Sequence, residues 1–200
     1  MENISREQKI RSEIIAAAQK LFRVHGLDKT TMDDIARAIG KVKGSVYHYY
    51  SNKEEIFYIV ASMEMKEIFA TASNAFETQN TYSEKIKTFL CTRCNEIRRK
   101  LNLYPVLLSE STKHMEVFRR LQDETRALEM GVVYDLLSRG SACGEFRKLT
   151  SRDCTLMAHT LVVVIKGLDA NILMDSKLPS EDLHVDYMAE VFLKGLRCRE

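Results

Sequence analysis

Between Arg37 and Lys53 the chain carries four cations, Arg37, Lys41, Lys43 and Lys53, and neither Asp nor Glu. Interleaved with them are Gly44, Ser45, Tyr47, His48 and Tyr49, a set that is small, hydroxylic and aromatic. These residue types suit nucleic acid. Lysine donates to guanine O6 and N7 or to phosphate, hydroxyls reach base edges or phosphates, and no carboxylate is present to repel the backbone. Gly44 lacks a side chain and lets the main chain approach a duplex closely. The same residues would equally serve as the solvated face of a helical adaptor that binds only protein, with the lysines there for solubility.

The elements needed to position this set are legible around it. Met32, Ile35, Ala36 and Ile39 recur at i, i+3, i+4, i+7, the spacing of a helix with one buried stripe. Thr31 precedes it with Asp34 three residues on, a variant of the capping box, and Gly40 follows where a left-handed residue ends a helix. A second helix is predicted over Val42 to Tyr50, with Val46, Tyr49 and Tyr50 available for packing. Two helices joined by a short glycine turn form a helix-turn-helix, whose second helix enters the major groove when the motif binds DNA. Before it, Ile10, Ile14, Ala17, Ala18, Leu21 and Phe22 mark a helix from Arg6 to His25 that ends at Gly26. After it, a helix capped by Ser51 or Asn52 carries Ile56, Ile59, Val60, Met63, Phe69 and Phe76 on one side to about Ala75.

Composition restricts the remaining classes. The 200 residues are 45% hydrophobic and 29% charged, an ordinary globular balance. Residues 1–53 hold 10 Lys and Arg against 6 Asp and Glu, whereas the other 147 hold 20 against 22, so the basic surplus lies with the motif. Met1 to Arg11 is polar, unlike a secretory signal, and apolar runs such as Leu161 to Ile165 are far below the ~20 residues that span a bilayer; the expected location is the cytoplasm, with no membrane partner. Five cysteines and no secretory segment argue against a disulfide framework. Cys91 and Cys94 stand at helical spacing without a second pair to complete a zinc site, so no metal is expected. A Gly-rich phosphate loop, HExxH, GxSxG and paired Glu-x-x-His motifs are all lacking, and the chain is expected to be neither an enzyme nor a holder of cofactors.

The periodicity stays helical to the end. Ile86, Leu90, Ile97 and Leu101 mark a helix over about 83–102, Tyr104-Pro105 begins a shorter one towards Lys113, and Leu121, Leu128, Val132 and Leu136 mark one over about 116–139. Gly140 to Gly144 reads as a loop, and Ser151 as the cap of a helix to about Met174. In that helix Leu156, Leu161, Val164 and Ile165 form one face while Val162 and Val163 occupy another, so both sides need cover. Pro179 and Ser180 open a last helix bearing Tyr187, Met188, Val191, Phe192 and Leu196.

The run from Ile14 to Phe57 resembles the N-terminal signature of the TetR family of bacterial transcriptional repressors. The likeness rests on Ala17, Ala18, Leu21, Phe22, Gly26, Thr30, Thr31, Ile35, Ala36, Gly40, Lys43, Gly44, Tyr47, Tyr49, Tyr50, Lys53 and Glu54, in order. Two places depart from it: Lys41 and Val42 follow the turn glycine where members carry an apolar and then a small polar residue, and Tyr50 replaces a commoner Phe, adding a hydroxyl that needs a partner. The resemblance implies an all-α protein of about nine helices, with a three-helix DNA-binding domain over 1–53 and a ligand-binding and dimerisation domain over 54–200. It implies a homodimer on a palindromic double-stranded DNA operator, released by a small effector. Lys43, Gly44, Ser45 and His48 would face the groove, Thr31, Tyr47, Tyr49 and Lys53 would meet phosphates, and Lys41 is a further DNA-binding candidate. Phe69, Phe89, Arg93, Tyr104 and His114 are the candidate effector contacts, for a largely apolar molecule with an acidic head. Leu156, Val163, Met188 and Phe192 are the candidate dimer contacts.

Overall fold

The computed structural model describes residues 2–100, 115–174 and 181–196. These form eight helices and no strand: α1 (Glu2–Lys29), α2 (Met32–Ala38), α3 (Lys43–Tyr47), α4 (Lys53–Glu77), α5 (Tyr82–Arg99), α6 (Met115–Ala142), α7 (Ser151–Met174) and α8 (Glu181–Lys194). The all-α expectation holds, and the short helix expected after Tyr104 lies outside the described residues. None of the described helices is long and apolar enough to cross a membrane. The chain divides into two compact units, the first holding the chain up to Met65 with the start of α6 up to Leu121, the second holding the rest.

The core of the first unit is Ile14, Ala18, Phe22, Leu27, Ile35, Ala36, Val46, Tyr50, Ile56, Phe57 and Val60, with Phe22 and Phe57 in edge-to-face contact at 5.2 Å. Regular helix in α1 stops at Gly26, whose φ of 78° only glycine adopts cheaply, and the turn after it buries Leu27. Residues Ile56, Phe57, Val60 and Ala61 of α4 belong to this core. Sequence pattern places Met63 on the same buried stripe, yet it is 54% exposed and Glu64 is 2% exposed instead. The reason is polar: the Glu64 carboxylate accepts from Gln19 and Arg23 of α1, which makes its burial tolerable.

The second unit packs Ala72, Phe76, Ile86, Phe89, Leu90, Val133, Leu137, Phe146, Ala158, Leu161, Val162 and Ile165 with Val185, Ala189 and Leu193. Here the sequence stripes rotate. Leu128, Leu156 and Val164 are exposed, and Val133, Ala158 and Val162 take the inner positions. Gly140 is helical rather than in a loop, and the Phe146 ring packs where its Cβ would stand. The α7 cap is Thr150, not Ser151: Thr150 Oγ1 accepts from Asp153 N, and the Asp153 carboxylate accepts from Thr150 N at 2.8 Å. Glu145 accepts the first amides of α5, from Tyr82 at 2.6 Å and Ser83 at 2.7 Å. Lys87 of α5 pairs with Asp186 of α8 at 2.8 Å, and that carboxylate raises the lysine's pKa.

Candidate nucleic-acid interface

The turn that presents α3 is built from backbone. Gly40 N–H donates to Arg37 O at 3.1 Å and Lys41 N–H to Ala36 O at 2.9 Å, the two bonds of a Schellman motif, with Gly40 at φ 66°. At the other end of α2, Thr31 Oγ1 accepts from Asp34 N while the Asp34 carboxylate accepts from Thr31 N and Oγ1, a full capping box despite Asp in the Glu position. Those bonds hold the Asp34 carboxyl below the usual carboxylate range. Helix α2 is thereby fixed at both ends over Met32, Ile35 and Ala36, all buried.

Helix α3 is shorter than expected, five residues long, because only Val46 and then Tyr50 turn inward and the chain leaves the helix at His48. Its N-cap is Val42, which is 74% exposed and makes no side-chain cap bond. The departure noted in the sequence therefore costs a cap and leaves the turn geometry intact. Lys41, Lys43, Gly44, Tyr47 and His48 are all exposed, and Ser45 and Tyr49 are half-buried. Lys43 Nζ lies 5.7 Å from the Tyr47 ring centroid, and His48 packs edge-on against Tyr49 at 5.1 Å. The structure thus brings seven of the nine candidates onto one exposed segment, 41–49.

The other two are committed inside the protomer. The Thr31 hydroxyl proton goes to Asp34 at 2.7 Å. Lys53 Nζ donates to Leu27 O at 2.7 Å and Asp28 O at 3.1 Å. The next helix is capped by Asn52, whose Oδ1 accepts from Glu55 N, while Glu55 accepts from Ser51 N. Sequence reasoning missed Arg11 of α1, which donates to Tyr49 O at 3.1 Å across 38 residues of chain, a separation that no local pattern reports.

Among the effector candidates, Phe69 and Phe89 meet edge-to-face at 5.9 Å, and Phe89 is wholly buried in the core of its unit. Arg93 is buried too and donates to Glu129, whose other oxygen lies 3.4 Å from Lys166. An acidic head would therefore meet a guanidinium already holding a carboxylate. Tyr104 and His114 lie outside the described residues. Of the dimer candidates, Leu156 and Val163 are exposed, whereas Met188 and Phe192 are partly buried against the core of their own protomer. On the same helix Tyr187 and Val191 are exposed.

A short helix displayed after a Schellman turn on a three-helix core defines a helix-turn-helix protein. Residues 14–58 match the family model described as bacterial regulatory proteins, tetR family. The HTH-type transcriptional repressor KstR2 of Mycolicibacterium smegmatis is 27% identical over 139 residues, 68% of this chain and 67% of that protein. The HTH-type transcriptional repressor AcnR of Corynebacterium jeikeium is 32% identical over 62 residues, 31% of this chain, and the match spans only 33% of its own length. A transcriptional regulator from Cytophaga hutchinsonii, known as a crystal structure, superposes with a TM-score of 0.73 at 25% identity over 92% of this chain and 97% of its own. Residues 14–58 therefore form a DNA-binding region of the TetR family of bacterial transcriptional regulators.

Proposed function

We propose that the protein is a ligand-responsive transcriptional repressor that binds a palindromic operator as a homodimer and is released by a small, largely apolar effector. The observation that carries the DNA-binding part is segment 41–49, a cationic, hydroxylic and exposed surface with no carboxylate of its own. In this reading 1–53 is the DNA-binding domain and 54–200 the ligand-binding and dimerisation domain. Lys43, Ser45 and His48, with Gly44, meet base edges; Lys41, Tyr47 and Tyr49 meet phosphates; Thr31 and Lys53 brace the helix ends that face the backbone. Similarity to proteins named as repressors supports the direction of regulation. The protein acts in the cytoplasm without catalysis.

The effector end rests on the aromatic pair Phe69 and Phe89 and supports an apolar molecule such as a fatty acid derivative or aromatic acid. Outward Leu156 and Val163 support a two-fold partner on α7. The test is selection of duplexes from a random pool by the purified protein, followed by anisotropy titration of the enriched sequence. An enriched inverted repeat with half-sites about one helical turn apart, or a multiple, is the expected result. Recovery of no sequence above the input pool overturns it.

A further inference from the structure

The face of α3 that would touch DNA is displayed by a helix with few supports of its own. Five residues long, it has no side-chain cap at its start, and inside it only Val46 is buried. At its far end stands Arg11 of α1. Nη1 donates to the carbonyl of Tyr49, two residues past the last residue of α3, and Cζ sits 5.4 Å from the ring centroids of both Tyr49 and Tyr50. Nε and Nη2 are held by Glu7 Oε1 at 3.2 Å and 3.1 Å, one turn earlier on α1. The guanidinium is therefore aimed by one helix at the end of another. Tyr50 is itself a core residue, so the same cation spans the anchored and the displayed parts of the segment.

We infer that Arg11, aimed by Glu7, is a positioning residue for base reading: it sets the pitch of α3 through the Tyr49 carbonyl and the two tyrosine rings. The inference rests on the DNA-binding reading above. A planar fork suits this task and an ammonium does not, because one group must donate to a carbonyl, lie against rings and accept guidance from a carboxylate together. The competing role is a plain phosphate contact, for which any cation of similar reach serves.

The two roles separate in Arg11→Lys, Arg11→Met and Glu7→Gln proteins, each titrated with the selected duplex and with a scrambled one across a salt series. Positioning predicts that Arg11→Lys loses roughly tenfold in affinity for the selected duplex and less than about twofold for the scrambled one, so that the specificity ratio falls while the salt slope holds. Glu7→Gln moves the ratio the same way by less. A global loss of stability would weaken both duplexes together. If Arg11→Lys keeps the wild-type ratio, or if Arg11→Met weakens both duplexes equally with a slope smaller by about one unit, the inference is overturned. Hydrogen exchange of the free protein supplies the second arm. The Tyr49 and Tyr50 amides both donate to Val46 O, and Arg11→Lys should speed their exchange; unchanged exchange removes the clamp. Should the wild type bind no duplex, the functional reading fails, and this arm still decides the clamp.

Discussion

Lys53 Nζ lies 2.7 Å from the Leu27 carbonyl oxygen and 3.1 Å from that of Asp28, so the first residue of α4 satisfies carbonyls at the end of α1. The family resemblance in the sequence assigns this lysine to phosphate. Its donors are largely spent on the fold, and Lys53→Ala should destabilise the free protein by about 1–2 kcal/mol, the lower part of the range for a charged hydrogen bond because the site is partly open. Urea unfolding measures that. The slope of log affinity against log salt should change by less than one unit; a full unit would mean that the remaining proton does meet a phosphate.

Val42 occupies the N-cap of α3 and caps nothing. Ser in its place supplies an acceptor for the amides at the start of the helix, and an exposed valine gives up little burial. Val42→Ser should raise stability by about 1 kcal/mol. Thermal melting checks the sign, and a lower melting temperature would show that the exposed valine packs against something other than solvent.

The Asp34 carboxyl titrates below its ordinary range because it accepts bonds from Thr31, first from the side chain and then from the backbone. A group whose folded pKa is depressed contributes stability that is present above the unfolded value and lost as pH falls through the folded one. Acid should therefore loosen the start of α2, and Asp34→Asn should flatten that part of the stability curve below about pH 4. The comparison is chemical denaturation at a series of pH values. Identical acid limbs in the two proteins would mean that the capping box contributes nothing measurable.

Gly140 stands where an added Cβ would meet Phe146 Cε2 at 2.3 Å, Cδ2 at 2.4 Å and the Tyr82 Cβ at 3.0 Å. Gly140→Ala should cost about 1–3 kcal/mol by overpacking. Adding Phe146→Leu removes the offending ring edge, so the double variant should be less unstable than the sum of the two changes. Strict additivity in a double-mutant cycle would place the strain elsewhere.

What the sequence displayed most clearly was whatever depends on neighbours a few residues away. The Thr31–Asp34 box, the Gly40 turn and the stripe Met32, Ile35, Ala36 are all local, and each is present. Stripes on the long helices were read less well, because their orientation is decided by partners remote in sequence. Glu64 is buried by Gln19 and Arg23, more than forty residues earlier, and no periodicity reports that. On α7 apolar residues lie on both faces, so hydrophobicity alone could not separate buried Val162 from exposed Val163. The site divided in the same way: the exposed run from Lys41 to Tyr49 was legible, while the commitments of Lys53 and Arg11 are tertiary.

Val163 is 47% exposed on α7, and Leu156 lies on the same helix two turns earlier, also exposed. In an isolated protomer a charge at 163 would be solvated, and Val163→Asp would change stability by less than about 0.5 kcal/mol. If a second copy covers this face, the same charge is buried without a partner, and the assembly loses several kcal/mol. The protein should sediment as a dimer at micromolar concentration, and Val163→Asp should sediment as a monomer with its helical circular dichroism intact. That monomer should still bind a half-site weakly but lose the joint grip on two half-sites that a palindrome offers. A wild-type monomer, or a Val163→Asp protein that remains dimeric, would remove this face of α7 from the interface and leave the two-fold operator without a structural basis.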